Sequence, residues 1–91
     1  MIRSCRNKDT QNLLERRFSR KFHTIEQSAR VRLELLDAAT SLNDLKLPGL
    51  RLEALKGDRK GQHSVRINDR YRLCFEWYNG DAHDVEIVDY H

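Results

Sequence analysis

Residues 89–91 set a carboxylate, a phenol and an imidazole side by side, Asp89, Tyr90 and His91, at the close of a stretch that reads as a strand. An imidazole gives or takes a proton near neutral pH. A carboxylate orients a neighbour or acts as a base, and a phenol stacks on a nucleobase or donates a hydrogen bond. On spacing alone a frayed terminus with no role is the commoner outcome for last residues. A second group lies upstream. Arg66 and Arg72 flank an Asn68-Asp69 turn signal, and alternation puts both on one face of a hairpin. Two guanidiniums on a bare sheet face suit a phosphate, because each keeps its charge and offers fixed donors. Pairing with Glu53, Glu76 or Glu86 on that face is the competing reading. A third group is the loop 56–62, with Lys56, Arg59 and Lys60 beside Gly57 and Gly61. Glycines let backbone amides approach an anion closely. The loop lacks the spacing of a P-loop, and a solvated hairpin connection also accounts for it.

The other titratable residues point elsewhere. His23, His63 and His83 have no metal-ligand spacing with each other or with cysteine, and no Ser-His-Asp arrangement can be argued. His63 alternates with apolar residues and reads as structural, while His23 and His83 read as surface residues. Cys5 and Cys74 are far apart and sit in apolar contexts, where a thiol behaves as a small hydrophobe. The chain implies neither a metal nor a cofactor.

Charge supports a polyanion partner. Residues 51–72 hold seven basic and three acidic side chains, whereas residues 73–91 hold five acids and no Lys or Arg. Such a polarised surface could attract phosphates, although a mixed surface of mutually paired charges fits the same counts. Ninety-one residues fit one domain, 1–91, with a modest core. The N-terminus has no apolar signal core and no run is long enough to span a membrane, so the expected location is the cytoplasm.

The elements that position these groups follow from hydrophobic period. Residues 2–5 predict a first strand. Asn7 predicts the cap of a first helix, with Leu13, Leu14 and Phe18 as its apolar stripe and Arg16, Arg17, Arg20 and Lys21 at its C-terminal end. Thr24 and Gln27 match a capping box for a long helix running to about Leu45, whose stripe is Ile25, Ala29, Leu33, Leu36 and Thr40. Pro48-Gly49 ends that pattern. Four strands follow, at about 50–55, 63–67, 71–77 and 84–90, with Asn79-Gly80 a strong hairpin turn. The expected fold is α+β: two N-terminal helices on one face of a mainly antiparallel, roughly five-stranded twisted sheet, with the other face partly open.

Several strings taken together resemble a known family. Arg51-Leu-Glu-Ala-Leu-Lys-Gly-Asp-Arg59, Gly61-Gln-His-Ser-Val-Arg66, Tyr71-Arg-Leu-Cys-Phe75 and Val88-Asp-Tyr-His91 resemble the HigB toxins, the plasmid-maintenance killer proteins of the RelE superfamily. The likeness runs over nearly the whole chain, including Ile2-Arg3-Ser4 and Leu36-Asp37-Ala38-Ala39. It implies a RelE-like fold and the toxin of a type II toxin–antitoxin pair. Such toxins cut messenger RNA in the ribosomal decoding site and so inhibit translation. Implied partners are a HigA-type helix-turn-helix antitoxin, the ribosome and mRNA, with operator DNA reached only through the antitoxin. The family's site residues fall here on Lys56, Arg72, Asp89, Tyr90 and His91. Some members carry histidine where this chain has Glu53, so a glutamate here either acts as a base or pairs with Lys56 or Arg72.

These residues fit a metal-free reaction in which the RNA 2′-OH attacks the adjacent phosphate. Arg72 and Lys56 are candidates for charge stabilisation, Asp89, His91 and Glu53 for proton transfer, and Tyr90 for stacking. Arg59, Lys60 and Arg66 are candidates for phosphate contacts, and the 16–21 cluster faces either ribosomal RNA or the antitoxin. Two alternatives use the same surface: a non-catalytic RNA-binding module and a protein-interaction subunit.

Overall fold

The computed structural model describes residues 1–89; Tyr90 and His91 lie outside the described residues. Helix α1 spans Lys8–Leu14 and is capped as expected, with the Asn7 side chain accepting from the Thr10 amide at 2.9 Å. The expected stripe breaks after Leu14. Arg16 takes a left-handed φ of 60°, its amide donates to the Leu13 carbonyl, and the Arg17 amide donates to the Asn12 carbonyl. This pair of bonds is a Schellman ending, which turns the chain out of the helix. Leu13 is therefore buried while Phe18 is 64% exposed. The basic residues 16–21 lie on the connection rather than on the helix.

Helix α2, Glu26–Ala38, follows a 3₁₀ turn at His23–Ile25. Ile25, Ala29, Leu33 and Leu36 are buried as predicted, but Thr40 is exposed and outside the helix. The capping box expected at Thr24 and Gln27 does not form, since the residue at the cap is Ile25 and no side chain bonds there. The chain's capping box lies instead at Ser41 and Asp44. Asp44 accepts from the Thr40 amide at 2.9 Å, the Thr40 hydroxyl at 3.0 Å and the Ser41 amide at 3.2 Å. These bonds hold 39–41 extended, end α2 seven residues earlier than the pattern suggests, and start a 3₁₀ turn at Leu42–Leu45.

Among the described residues the sheet has four antiparallel strands in the order β1 (Glu53–Ala54), β2 (Gln62–Arg66), β3 (Tyr71–Tyr78), β4 (Asp81–Asp89). The expected fifth strand, residues 2–5, runs parallel to β4 as two isolated bridges, Ile2↔Ala82 and Cys5↔Val85. A bulge divides them. Between the pairs Cys74↔Glu86 and Glu76↔His83, β4 holds one residue more than β3. Asp84, at φ 50°, occupies this stretch, and aspartate tolerates that conformation better than most residues. β1 is shorter than the alternation of 50–55 suggests, because Arg51 also has a left-handed φ of 48°.

One face of the sheet carries Val65, Leu73, Phe75, Ala82, Val85 and Ile87, and all are buried in one core with Leu13, Phe22, Leu33 and Leu36. The buried Thr10 hydroxyl accepts from the Ile87 amide at 3.1 Å, tying α1 to the outer edge of β4. The opposite face is not covered by the helices, and it holds the candidate site.

Candidate active site on the open sheet face

Strand register arranges this face in rows. Glu53, Ser64, Cys74 and Glu86 stand opposite one another across all four strands. One pleat along, Arg66 faces Arg72, which faces Val88. The two arginines singled out from alternation are thus direct neighbours across the hairpin, and they differ in how they are held. Arg66 pairs with Asp69 in the turn. Arg72 donates its Nε to Ser64 Oγ at 2.7 Å and its Nη2 to the Arg51 carbonyl at 2.8 Å. Arg51, left-handed just ahead of β1, brings that carbonyl to the guanidinium from the far side of β2. Ser64 is fully buried, so its hydroxyl is a fixed acceptor. Sequence reasoning singled out neither Ser64 nor the Arg51 carbonyl; the alternation that placed Arg66 outward also places Ser64 outward.

Lys56 follows β1 and is exposed, and with Glu53 it lines a depression of about 340 Å³. Arg59, in a 3₁₀ turn at Gly57–Arg59, donates to Gln62 Oε1 and Glu86 Oε1, both at 3.0 Å. Arg6 approaches the same Glu86 oxygen at 4.0 Å. Arg6, Asp58, Arg59, Gln62 and Glu86 line a second depression of about 430 Å³. Of the acids expected to compete for the arginines, Glu86 pairs with Arg59. Lys60 is exposed just beyond the turn.

Asp89 falls on the other pleat from Arg72. It is opposite Tyr71, on the pleat that carries Leu73 and Ile87, and it accepts from Arg70 at 2.8 and 2.9 Å. That carboxylate raises the pKa of the Arg70 guanidinium. The structure therefore gathers Glu53, Lys56, Arg66 and Arg72 on or beside one face and sets Asp89 on the other side of β4's end. Tyr90 and His91 lie outside the described residues. Cys74, central on the face, has its thiol pKa raised by burial. His63 packs on Phe75 on the core side, and His83 is turned to the open face by the bulge. Among the described residues no three His, Cys, Asp or Glu side chains are grouped to hold a metal. No described helix is long and apolar enough to cross a membrane.

Comparison with known proteins gives the chain a family. The chain is 47% identical over 60 residues to Toxin HigB-1 of Vibrio cholerae serotype O1 (strain ATCC 39315 / El Tor Inaba N16961), a match covering 65% of this chain and 63% of the relative. It is 38% identical over 60 residues to Endoribonuclease HigB of Proteus vulgaris, covering 66% and 65%. The chain thus spans a little under two thirds of the length of these relatives. A family model described as the RelE-like toxin of type II toxin–antitoxin system HigB matches residues 9–91. With two helices packed on one side of an antiparallel sheet and a match across almost its whole length, the chain belongs to the RelE-like HigB toxin family.

Proposed function

We propose that this chain is the toxin of a type II toxin–antitoxin pair and acts as an endoribonuclease on messenger RNA in the ribosomal decoding site. The observation that carries the reading is the fixed Arg72 guanidinium, held by Ser64 and by the Arg51 carbonyl beside Arg66, on the sheet face opposite the helices. A cation already oriented before the substrate arrives stabilises developing charge without reorganising during the reaction.

The chemistry is an internal transfer. The RNA 2′-oxygen attacks the adjacent phosphorus, the bond to the 5′-oxygen breaks, and the products are a 2′,3′-cyclic phosphate and a 5′-hydroxyl. The 2′-OH loses its proton to a base, and the leaving 5′-oxygen gains one from an acid. The protein supplies no nucleophile, and the reaction uses no metal. Arg72 and Lys56 neutralise the pentavalent phosphorane, while Arg59, Lys60 and Arg66 hold flanking phosphates. Glu53 is the carboxylate beside the Arg72 row; Asp89 and His91 are the other proton-transfer candidates, and Tyr90 stacks on a base. Each positioned acid or base contributes typically about 10² to 10⁴-fold. A helix-turn-helix antitoxin of the HigA type silences the toxin, and the pair acts in the cytoplasm.

Primer extension on a message in a purified translation system tests this. A cut within the ribosome-protected segment that persists in excess chelator supports the reading. Intact message at saturating folded protein contradicts it and favours a non-catalytic binding module.

A further inference from the structure

The open face continues past the arginines to the β3–β4 hairpin tip, where two aromatic rings are stacked. The Tyr78 and His83 ring centroids are 3.7 Å apart and the planes differ by 3°. The bulge in β4 makes this possible. Strict alternation from Val85 and Ile87 would send His83 into the core; the extra residue at 84 places Ala82 there instead and pairs His83 with Glu76 on the open side. Tyr78 follows two residues after Glu76 on the same pleat, opposite Asp81, so its ring lies diagonally over His83. Tyr78 is 50% exposed, which leaves ring surface for a further partner. The His83 ring is half-buried, and its Nε2 makes no hydrogen bond among the described residues.

We propose that Tyr78, supported from beneath by His83, is a stacking platform for one unpaired base of the RNA strand that Arg72 and Arg66 contact. The inference rests on the RNA-cleaving reading above. Six residues of strand separate Tyr78 from Arg72, roughly 20 Å, so the stacked base lies several nucleotides from the reacting phosphate. Between Arg72 and Tyr78 the face carries Glu86, paired with Arg59, and Glu76, so the strand is gripped at two separate points, by the arginines and by stacking on Tyr78. Stacking holds a single strand without sequence readout, because every base has a π-face. A base at this distance gives affinity and register rather than chemistry. Tyr78 is therefore a binding residue, and its loss should raise the half-saturating concentration while sparing the maximal rate.

The test measures single-turnover cleavage against programmed-ribosome concentration for wild type, Tyr78→Ala and Tyr78→Phe, with melting curves for each. Ultraviolet crosslinking of the Tyr78 peptide distinguishes message from ribosomal RNA as the source of the base. Expected are a half-saturating concentration raised about tenfold in Tyr78→Ala, a maximal rate within about twofold of wild type, recovery of affinity in Tyr78→Phe, and a crosslink to the message. Wild-type cleavage with an unchanged half-saturating concentration in Tyr78→Ala overturns the platform alone. So does a lowered maximal rate at unchanged half-saturation, and so does a crosslink to ribosomal RNA or to protein only. No cleavage by wild type overturns the nuclease reading, and the platform falls with it.

Discussion

Arg72 and Ser64 form the bond on which the site geometry depends: the Arg72 Nε donates to a fully buried serine hydroxyl at 2.7 Å, one strand away on the same face. Without that acceptor the guanidinium keeps its charge but loses its orientation. Ser64→Ala should lower the maximal cleavage rate about tenfold, the scale of a hydrogen bond to a charged group of roughly 1.5 kcal/mol. The melting temperature should fall as well, by roughly 4–8 °C for each kcal/mol of that bond, so the rates are compared at a temperature where both proteins are fully folded. Single-turnover kinetics and a thermal melt on one preparation separate the two effects, and an unchanged rate would remove Ser64 from the account.

Acid stability follows from two carboxylates. The Thr40 amide, the Thr40 hydroxyl and the Ser41 amide hold Asp44 below its ordinary value of 3.8, and Arg3 and the N-terminal amine do the same for Asp81. Both are depressed in the folded state, so their contribution is present above the unfolded value and is lost as pH falls through the folded one. The melting temperature should therefore decline on acidification below about pH 4. Asp44→Asn should melt lower than wild type at neutral pH and show a shallower acid decline. Parallel declines for the two proteins would show that Asp44 contributes nothing.

Thr10 joins helix to sheet through a buried hydroxyl that accepts from the Ile87 amide. Thr10→Val keeps the shape and leaves that amide unsatisfied, which should cost about 1–3 kcal/mol. Urea unfolding with an unaltered slope and a lower midpoint is the expected result.

Both thiols should be inert in the folded protein. Burial, with the Glu15 charge adding to it, pushes Cys5 up to about 11, and burial raises Cys74 as well. At pH 8 only about a thousandth of Cys5 is thiolate, against about a tenth for a thiol at its ordinary value of 9.0. Iodoacetamide at pH 8 should label neither in the native state and both in denaturant, and rapid native labelling of either would contradict the burial described here.

The parts of this structure legible in the sequence are those with uninterrupted period. The β2–β3 hairpin reads directly from alternation around Asn68-Asp69, and with it the Arg66–Arg72 pairing; the α2 stripe from Ile25 to Leu36 reads from its 3.6 spacing. What was misplaced lies where local backbone conformation overrides period. Arg16 and Arg51 take left-handed φ values with no glycine to announce them. The Asp44 carboxylate diverts a helix that apolar spacing would continue. The Asp84 bulge reverses the facing of His83, so the Tyr78 stack was invisible to strict alternation. Arg72's partners were hidden for another reason: a backbone carbonyl leaves no signature in residue type.

The most direct test of the central claim is the single-turnover rate of Arg72→Ala on programmed ribosomes, with ribosome binding measured beside it. If the oriented Arg72 guanidinium stabilises the phosphorane, the rate should fall by about 10² to 10³-fold, the scale for removing one preorganised donor, while binding stays within a few-fold. A rate within about threefold of wild type would contradict the account and move the transition-state charge away from this face.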